Sequence, residues 1–243
     1  MKKFDYLLFL PNHGEKKLVV LSGAGISQES GIKTFRDSNG LWENHDIMEV
    51  ASPEGWRRNR ALVQEFYNQR RKQARACQPN EAHKILARLE QRFNVTIITQ
   101  NVDDLHERGG SSHVIHLHGE LSKAQSSKNP NLVYPMEGWE IKEGDCCELG
   151  SQLRPHIVWF GEPVPKMEEA IDHAASADYF IVVGTSLQVY PAAGLIDYVP
   201  KKAKKFLVDV VIPNSALTKD VFCIEKRASE GLKHLESVIL GEL

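Results

Sequence analysis

Long apolar runs are missing from this sequence, since none reaches the ~18 residues that a membrane-spanning helix needs. Cysteine is also scarce. The four cysteines, Cys77, Cys146, Cys147 and Cys223, do not make a disulfide framework in a chain of 243 residues. The amino-terminal stretch has a short apolar patch but lacks a cleavage-site pattern. We therefore expect a cytoplasmic protein with no membrane partner.

Neither sign of charge dominates the composition. Lys and Arg number 30 and Asp and Glu number 32, so the net charge is −2, which argues against a nucleic-acid partner. The local basic runs at 57–60 and 201–205 are typical of solvated faces. With 42% hydrophobic and 26% charged residues, the composition indicates an ordinary globular protein. Its length suits one large domain or a core with a small insertion.

The most informative stretch is 17–36, KLVVLSGAGISQESGIKTFR. An apolar run predicts a buried strand, which breaks at Gly23, Ala24 and Gly25, where small residues let the backbone approach a ligand. A short helix should follow, with Ser27 as its N-cap, and such a strand–turn–helix unit favours anions. The third glycine of the dinucleotide fingerprint is missing. From these residues alone, a nucleotide-phosphate site and an ordinary tight turn both remain open.

Apolar runs that could form strands alternate with amphipathic stretches that could form helices. The apolar runs lie at 17–22, 95–99, 114–117, 157–160, 179–184 and 205–212, and helical periodicity is found at 81–92, 167–177 and 229–240. This alternation predicts an α/β fold, in which a parallel sheet is covered by helices on both faces.

Two stretches interrupt the alternation. Residues 33–77 lack a strong strand and contain one long helix candidate, whereas 121–153 are polar and broken by proline and glycine. We expect these two insertions to form a small second lobe. The core would then consist of about 1–32, 78–120 and 154–243, and a ligand would bind in the cleft between core and lobe.

Polar side chains follow two of the predicted strands. The run 95–99 is followed by Gln100, Asn101 and Asp103. The run 179–184 ends in a small polar turn made of Gly184, Thr185 and Ser186. In doubly wound sheets, ligands bind beyond the carboxyl ends of the strands. The same residues would also suit a capped helix start.

Two histidines, His116 and His118, are two residues apart and would share one face of a strand. A metal pair is one interpretation, but a third ligand is missing nearby in the sequence. Gly119 suggests that the strand ends there in a cleft, where His118 would suit general-base work. His116 fits a core position better.

Six motifs occur in the order found in one known family. They are GAGIS at 23–27, TFRD at 34–37, TQNVDDLHERGG at 99–110, HLHGEL at 116–121, PHIVWFGEPVP at 155–165 and VVGTSLQVYPAAG at 182–194. The chain resembles the sirtuins, the NAD-dependent protein-lysine deacylases. The resemblance implies a single catalytic domain over 1–243 with a Rossmann-like core, NAD as cofactor, acylated lysine side chains of proteins as substrates, and a monomer.

The resemblance also assigns roles to residues. Contacts to NAD are implied for Gly23, Ala24, Gly25, Phe35, Arg36, Gln100, Asn101, Val102, Asp103, Gly184, Thr185, Ser186 and Ala228. The catalytic residues would be His118, Asn101 and Asp103. The acyl-lysine oxygen would attack the ribose carbon that bears nicotinamide, and nicotinamide would leave. His118 would deprotonate a ribose hydroxyl, which would attack the resulting imidate, and water would complete the reaction to free lysine and O-acyl-ADP-ribose.

The substrate peptide is expected to add as a strand between 158–162 and 188–190. The residues concerned are Val158, Phe160, Gly161, Glu162 and Val189. Tyr67 and Arg70, three apart on a predicted helix, resemble the Tyr-x-x-Arg signature of the sirtuin branch that removes acidic acyl groups. Arg70 could bind a carboxylate, and Ala51 would leave room for a longer acyl chain. An ordinary amphipathic helix with surface charge would look the same.

The chain departs from the family in two places. Where most sirtuins have two C-x-x-C pairs, only the adjacent Cys146 and Cys147 remain, so we expect no structural zinc. We expect the small lobe to be held instead by Val133, Tyr134, Trp139 and Ile141.

The second departure is the absence of the asparagine that the family places near Val210, which puts one contact to the adenosine ribose in doubt. An NAD- or ADP-ribose-binding module and a mono-ADP-ribosyltransferase are the alternatives to a deacylase. The presence of His118 together with Asn101 and Asp103 favours the enzyme.

Overall fold

The computed structural model describes residues 16–33, 41–42, 45–213 and 220–241. The strands are β1 (Lys17–Ser22), β2 (Leu41–Trp42), β3 (His45–Asp46), β4 (Asn94–Thr99), β5 (Val114–His116), β6 (Gly119–Ser126), β7 (Val133–Pro135), β8 (Leu153–Ile157), β9 (Tyr179–Val183), β10 (Lys204–Asp209) and β11 (Val221–Glu225). The α-helices are α1 (Ile47–Val50), α2 (Pro53–Arg58), α3 (Arg60–Ala76), α4 (Glu81–Leu89), α5 (Leu105–Arg108), α6 (Met167–Ala175) and α7 (Ala228–Gly241). Two 3-10 helices cover Ala24–Ser30 and Ala192–Tyr198.

The core is a six-stranded parallel sheet with the order β11-β10-β9-β1-β4-β5. This is the strand order of a doubly wound nucleotide-binding sheet. Helices α4 and α7 pack on one face and α6 on the other, each with its own apolar cluster. The predicted Rossmann-like α/β fold, with helices on both faces, is confirmed.

The central strands β1 and β9 are buried because their interior residues are apolar. All five residues of β9 and five of the six in β1 are buried, as expected when both faces of a sheet are covered. The long helix α3 starts where Asn59 Oδ1 accepts a hydrogen bond from the Leu62 N–H, at 3.1 Å, which satisfies one of the unpaired donors of its first turn.

A smaller layer lies beside the sheet. Strands β7, β6 and β8 form an antiparallel sheet in that order, and a third apolar cluster joins α1, α2 and α3 to it, with Tyr67 and Trp159 at its centre. This small lobe combines both predicted insertions. Its sheet begins at Gly119 and ends at Ile157, slightly outside 121–153, and the exact domain bounds remain a prediction.

Some local predictions were wrong. The apolar run 157–160 is not a core strand, because β8 ends at Ile157 and pairs with β6 in the small sheet. Ser27 is not an N-cap but lies inside the first 3-10 helix, which Gly23 precedes. The edge strand β11 was missed because only one of its five residues is buried.

The small lobe is also held differently from the expectation. Ile141 is buried, but Val133 is exposed and cannot act as a core residue. Instead, polar side chains of α3 bind the loop that contains Ile141: the Asn68 amide exchanges two hydrogen bonds with the Ile141 backbone, at 3.0 and 2.9 Å. The buried Arg71 donates to the Trp139 carbonyl at 2.8 Å. Within the described residues, no helix is both long and apolar enough to cross a membrane.

Candidate active site

The two turns that follow β1 and β9 lie against each other at the carboxyl ends of the strands. Gly23 N–H donates to the Val183 carbonyl at 3.0 Å and Gly25 N–H to the Gly184 carbonyl at 2.8 Å. A Cβ atom on Gly25 would lie 2.7 Å from the Gly184 Cα, so a side chain would push the turns apart. The glycines therefore make room for the neighbouring turn.

A cavity of about 740 Å³ opens at this point and extends to the small lobe. It lies at the carboxyl end of β1, which has β4 on one side and β9 on the other, so that the strand order reverses here. Open α/β sheets bind ligands at such a point. The predicted site residues that line it are Gly23, Ala24, Gly25, Ala51, Tyr67, Arg70, Gln100, Asn101, Val102, Asp103, His118, Val158, Phe160, Gly161, Glu162, Gly184, Thr185, Ser186, Val189 and Ala228. Phe35 and Arg36 lie outside the described residues.

Asn101 and Asp103 are linked through Ser27 beneath the cavity. The Ser27 hydroxyl donates to Asp103 Oδ2 at 3.1 Å and accepts from Asn101 Nδ2 at 3.1 Å. Both residues are buried, and burial raises the pKa of Asp103 to about 6, although hydrogen bonds from the Leu105 N–H and Ser27 oppose the shift. The chain thus fixes the direction in which the Asn101 amide points.

His118, for which the sequence predicts the role of a general base, lines the cavity. Its Nδ1 lies 3.1 Å from the Gln100 carbonyl, and because a carbonyl only accepts, Nδ1 carries the proton in the neutral ring. The lone pair is then on Nε2. Burial lowers the pKa of His118, and the bond to Gln100 only partly offsets this. The imidazole is therefore uncharged at pH 7, and its Nε2 lone pair can accept a proton.

His116 has a supporting place. Its Nδ1 lies 3.1 Å from the Asn101 carbonyl and its Nε2 lies 2.7 Å from Glu107 Oε1. Burial alone would lower the pKa of His116, but the hydrogen bond and charge of Glu107 outweigh it and raise that pKa. The His116 side chain is thus buried with both ring nitrogens hydrogen-bonded, as expected for a core position, and it braces the backbone at Asn101.

Tyr67 and Arg70 line the part of the cavity that enters the small lobe. Tyr67 is fully buried, its oxygen accepts from Trp159 Nε1 at 3.1 Å, and burial raises the pKa of its hydroxyl. The Arg70 guanidinium stacks over the Phe66 ring at 5.6 Å. Ala51 is buried beside them, where its small side chain leaves space. The two residues for which the sequence predicts acyl specificity thus line the same cavity.

The segment after β8 lies at the mouth of the cavity. Val158 N–H donates to the His118 carbonyl and Phe160 N–H to the Ala51 carbonyl, both at 2.9 Å. The Glu162 carboxylate accepts from Arg154 at 3.0 Å and from the Trp159 N–H at 2.9 Å. Glu162 therefore holds the segment in shape. Across the mouth, Val189 and Phe160 expose apolar side chains.

At the opposite end of the cavity, sequence reasoning missed Asp209. This buried residue ends β10 and lines the cavity together with Lys226, Arg227 and the predicted Ala228. Its Oδ1 accepts from the Val211 N–H at 3.1 Å. Asp209 could have been found from the sequence, because it is an acidic residue at the end of an apolar strand and directly precedes Val210, near which the family has an asparagine.

Comparison with known proteins agrees with this geometry. The model of the Sir2 family matches residues 23–191. An NAD-dependent protein deacylase of Bacteroides thetaiotaomicron is 51% identical over 230 residues, which cover 93% of this chain and 98% of the relative. The chain belongs to the Sir2 family.

Solved structures give the same result. A Sir2 homologue in complex with NAD superposes with a TM-score of 0.85 at 36% identity, covering 93% of this chain and 90% of that one. A Sir2 protein with a deacetylated p53 peptide and 3'-O-acetyl-ADP-ribose has a TM-score of 0.75 at 30% identity, with coverage of 94% and 95%.

Proposed function

We propose that this protein removes acyl groups from lysine side chains of proteins, with NAD as co-substrate and with a preference for the acidic succinyl and malonyl groups. The enzyme class follows from the family and from relatives such as that of B. thetaiotaomicron: the chain is an NAD-dependent protein deacylase. The acyl preference and the residue roles below are our proposals. Nicotinamide and O-acyl-ADP-ribose are the expected products.

The cavity suits a dinucleotide. Its volume of about 740 Å³ is within the range of cofactor sites, and the side-chain-free turn at Gly23 and Gly25 admits the pyrophosphate close to the backbone. When bound, NAD supplies an electrophilic ribose carbon and a leaving group. Gln100, which also donates to Thr185 Oγ1 at 3.2 Å, would hold the ribose between the two turns.

The proposed catalytic residues are held in place by hydrogen bonds to residues outside the reacting groups. The Asn101 amide, held by Ser27 and Asp103, orients the nicotinamide end. His118 Nε2 accepts a proton from a ribose hydroxyl, because Nδ1 is engaged with Gln100. A base in the cleft has no use in a protein that only binds NAD, which is why we favour the enzyme over a binding module.

The acyl preference rests on one observation, that the cationic Arg70 and Tyr67 line the same cavity. A hydrogen bond to a charged group is worth ~1.5–3 kcal/mol, which is roughly tenfold to a hundredfold in preference. Burial around the pair strengthens this interaction. Acetyl-lysine has no carboxylate to use it.

The experiment is a mass-spectrometric assay on one peptide carried as acetyl-lysine and as succinyl-lysine, with and without NAD. We expect Tyr67→Phe/Arg70→Met to lose desuccinylation and to keep deacetylation. Arg75→Met, an exposed arginine of the same helix outside the cavity, should change neither. The neighbouring Arg71 is no control, since it anchors the small lobe.

The other outcomes discriminate the alternatives. Equal loss of both activities in the double variant would contradict the acyl assignment. Turnover of NAD with ADP-ribose attached to protein, and no loss of acyl group, would favour ADP-ribosyl transfer. Binding of NAD without any turnover would favour the binding module.

Peptide binding should use carbonyls more than amides of the mouth segment. Because the N–H groups of Val158 and Phe160 are already engaged, strand addition would rely on backbone carbonyls and on the Gly161 N–H. The exposed Phe160 and Val189 would cover the lysine stem. Such backbone pairing gives affinity without strong sequence preference.

We propose that Asp209 takes the place of the expected asparagine at the adenosine ribose. A carboxylate accepts hydrogen bonds from ribose hydroxyls, as acidic residues do in other doubly wound folds. Asp209→Ala should raise KM for NAD about tenfold or more with little change in kcat, whereas Asp220→Ala, outside this cavity, should leave both unchanged. An unchanged KM in Asp209→Ala would contradict the assignment.

We also expect no zinc in the small lobe. Cys146 is exposed, whereas Cys147 is buried with its thiol 3.1 Å from the Ser151 hydroxyl, so the two thiols do not point to one shared ion. Elemental analysis of wild type and of Cys146→Ser/Cys147→Ser tests this, and zinc lost only from the double variant would contradict it. We also propose that the protein is a cytoplasmic monomer.

A further inference from the structure

Three metal-ligating side chains lie together away from the candidate active site. His113 directly precedes β5, and Glu169 and His173 lie one turn apart on the same face of α6. One ligand atom of each lies within 4.8 Å of the other two. All three residues are half-buried, so an ion could reach them from solvent and still be partly enclosed.

Thr96 holds the two imidazoles toward each other. Its hydroxyl oxygen lies 3.2 Å from His113 Nδ1 and 3.3 Å from His173 Nδ1, and the rings meet edge to face with centroids 5.1 Å apart. A hydroxyl has one proton, so Thr96 donates to one ring and accepts from the other. Thr96 thus holds the two rings against each other, and in each neutral ring the nitrogen without a proton is the one that can bind an ion.

The distances suit a transition-metal ion after small side-chain rotations. With Zn–N bonds of 2.0–2.1 Å, the nitrogens of a tetrahedral site lie about 3.3 Å apart. Two imidazoles and one carboxylate are a known ligand set for zinc, with water in the remaining position. Glu169 supplies the negative charge that the ion requires.

The surroundings contain charges of both signs. Lys166 Nζ donates to Glu169 Oε2 at 2.8 Å, the kind of outer contact that orients a ligating carboxylate. Lys17 and Asp172 also act on His173, with opposite signs. The two lysines repel a cation, whereas Glu169 and Asp172 attract it. Because these charges oppose each other, the affinity for an ion depends on the geometry of the ligands.

We propose that His113, Glu169 and His173 bind one divalent transition-metal ion of the zinc class, with water completing the coordination. The ion would join α6 to the residue that directly precedes β5. Thr96 lies three residues before the end of β4, about 10 Å along the strand from the active-site end. The ion therefore stabilises the fold and takes no part in deacylation.

The test uses the full chain without an affinity tag, stripped with a chelator and then dialysed against zinc sulfate. Elemental analysis should find one zinc per chain, and the melting temperature should rise by about 5–10 °C when zinc is at a hundred times its Kd. Both effects should disappear in His113→Gln/His173→Gln. His234→Gln, an exposed histidine of α7, should behave as wild type.

A second variant keeps the test informative if the double variant does not fold. Glu169→Gln changes only a half-exposed carboxylate and should weaken zinc binding about tenfold or more. Cobalt in place of zinc should give visible d–d bands without the charge-transfer band of a thiolate ligand.

Three results would overturn the proposal. They are a stripped wild type that takes up no zinc, zinc retained by both ligand variants, and zinc lost only when Cys146 and Cys147 are replaced. The last result would place the ion in the small lobe instead. Deacylation by the stripped protein, measured in parallel, should stay unchanged.

Discussion

The buried carboxyl group of Asp103 should make the protein less stable as the pH rises. Burial is the main cause that raises its pKa from 3.8 to about 6. The folded state therefore holds this proton more tightly than the unfolded state. The stabilisation is complete below pH 3.8 and is lost as the pH rises through about 6. A shift of about 2 units corresponds to ~3 kcal/mol of unfolding free energy.

Replacing the acid by its amide removes this cost. Asp103→Asn should be more stable than wild type at pH 8, by ~2 kcal/mol once the ~1 kcal/mol of the altered hydrogen bond with Ser27 is subtracted. Near pH 4, where Asp103 is largely protonated in the folded state, the advantage should be lost, and the altered hydrogen bond should leave the variant slightly less stable than wild type. The difference between the two pH values is therefore the quantity of interest.

Urea unfolding of wild type and Asp103→Asn at pH 4 and pH 8, without NAD, measures this difference in unfolding free energy. Asp104→Asn is the matched control, because its partly exposed side chain pairs with Arg108 at 3.2 Å, and exposed pairs of this kind contribute ~1 kcal/mol or less. A stability advantage of Asp103→Asn that is the same at pH 4 and pH 8 would refute the idea that a desolvated carboxylate costs stability here.

Two further predictions concern the base and the glycine turn. His118→Ala should lower kcat about 10²–10⁴-fold with NAD affinity nearly unchanged, and a loss of NAD binding of equal size would contradict the role of a base. The acidic limb of the wild-type rate profile, where His118 becomes protonated, should lie below pH 6.5, since the pKa of His118 is lowered. Gly25→Ala should cost ~1–3 kcal/mol of stability and weaken NAD binding, because the new Cβ would lie 2.7 Å from Gly184. Gly138→Ala, where nothing lies closer than 4.0 Å, is the control, and equal melting temperatures of the two variants would argue against the tight contact.

The strand ends could be predicted because local signals and topology agree there. The runs at β1 and β9 are short and continuous in apolar residues, and parallel strands end at one side of the sheet. Residues after β1, β4 and β9 therefore had to meet, although they are distant in the sequence. The hydrogen bonds of Gly23 and Gly25 to the β9 turn follow directly from this.

Other contacts depend on packing that no local pattern carries. Ser27 had the chemistry of a cap, but the tight 3-10 turn places it under Asn101 and Asp103 instead. The small lobe lacks a strong strand signal, since its sheet is half exposed and is held by polar side chains of α3. His113 and His173 belong to different elements, and only the fold of α6 over β4 brings them to Thr96.

The polar groups behind the cavity explain why such a site is built on the rigid end of a sheet. Asp103 is costly when ionised, and the buried His106 has a pKa well below the usual value because of burial. These costs are tolerated because β1 and β4 hold the groups in place: His106 Nε2 contacts the Ser22 hydroxyl at 2.9 Å, and Ser22 donates to Thr99 at 2.9 Å. Thr99 in turn accepts from the Asn101 N–H at 3.0 Å. The polar residues at the site thus lower the stability of the fold, and burial of the apolar strands from which they project offsets this loss.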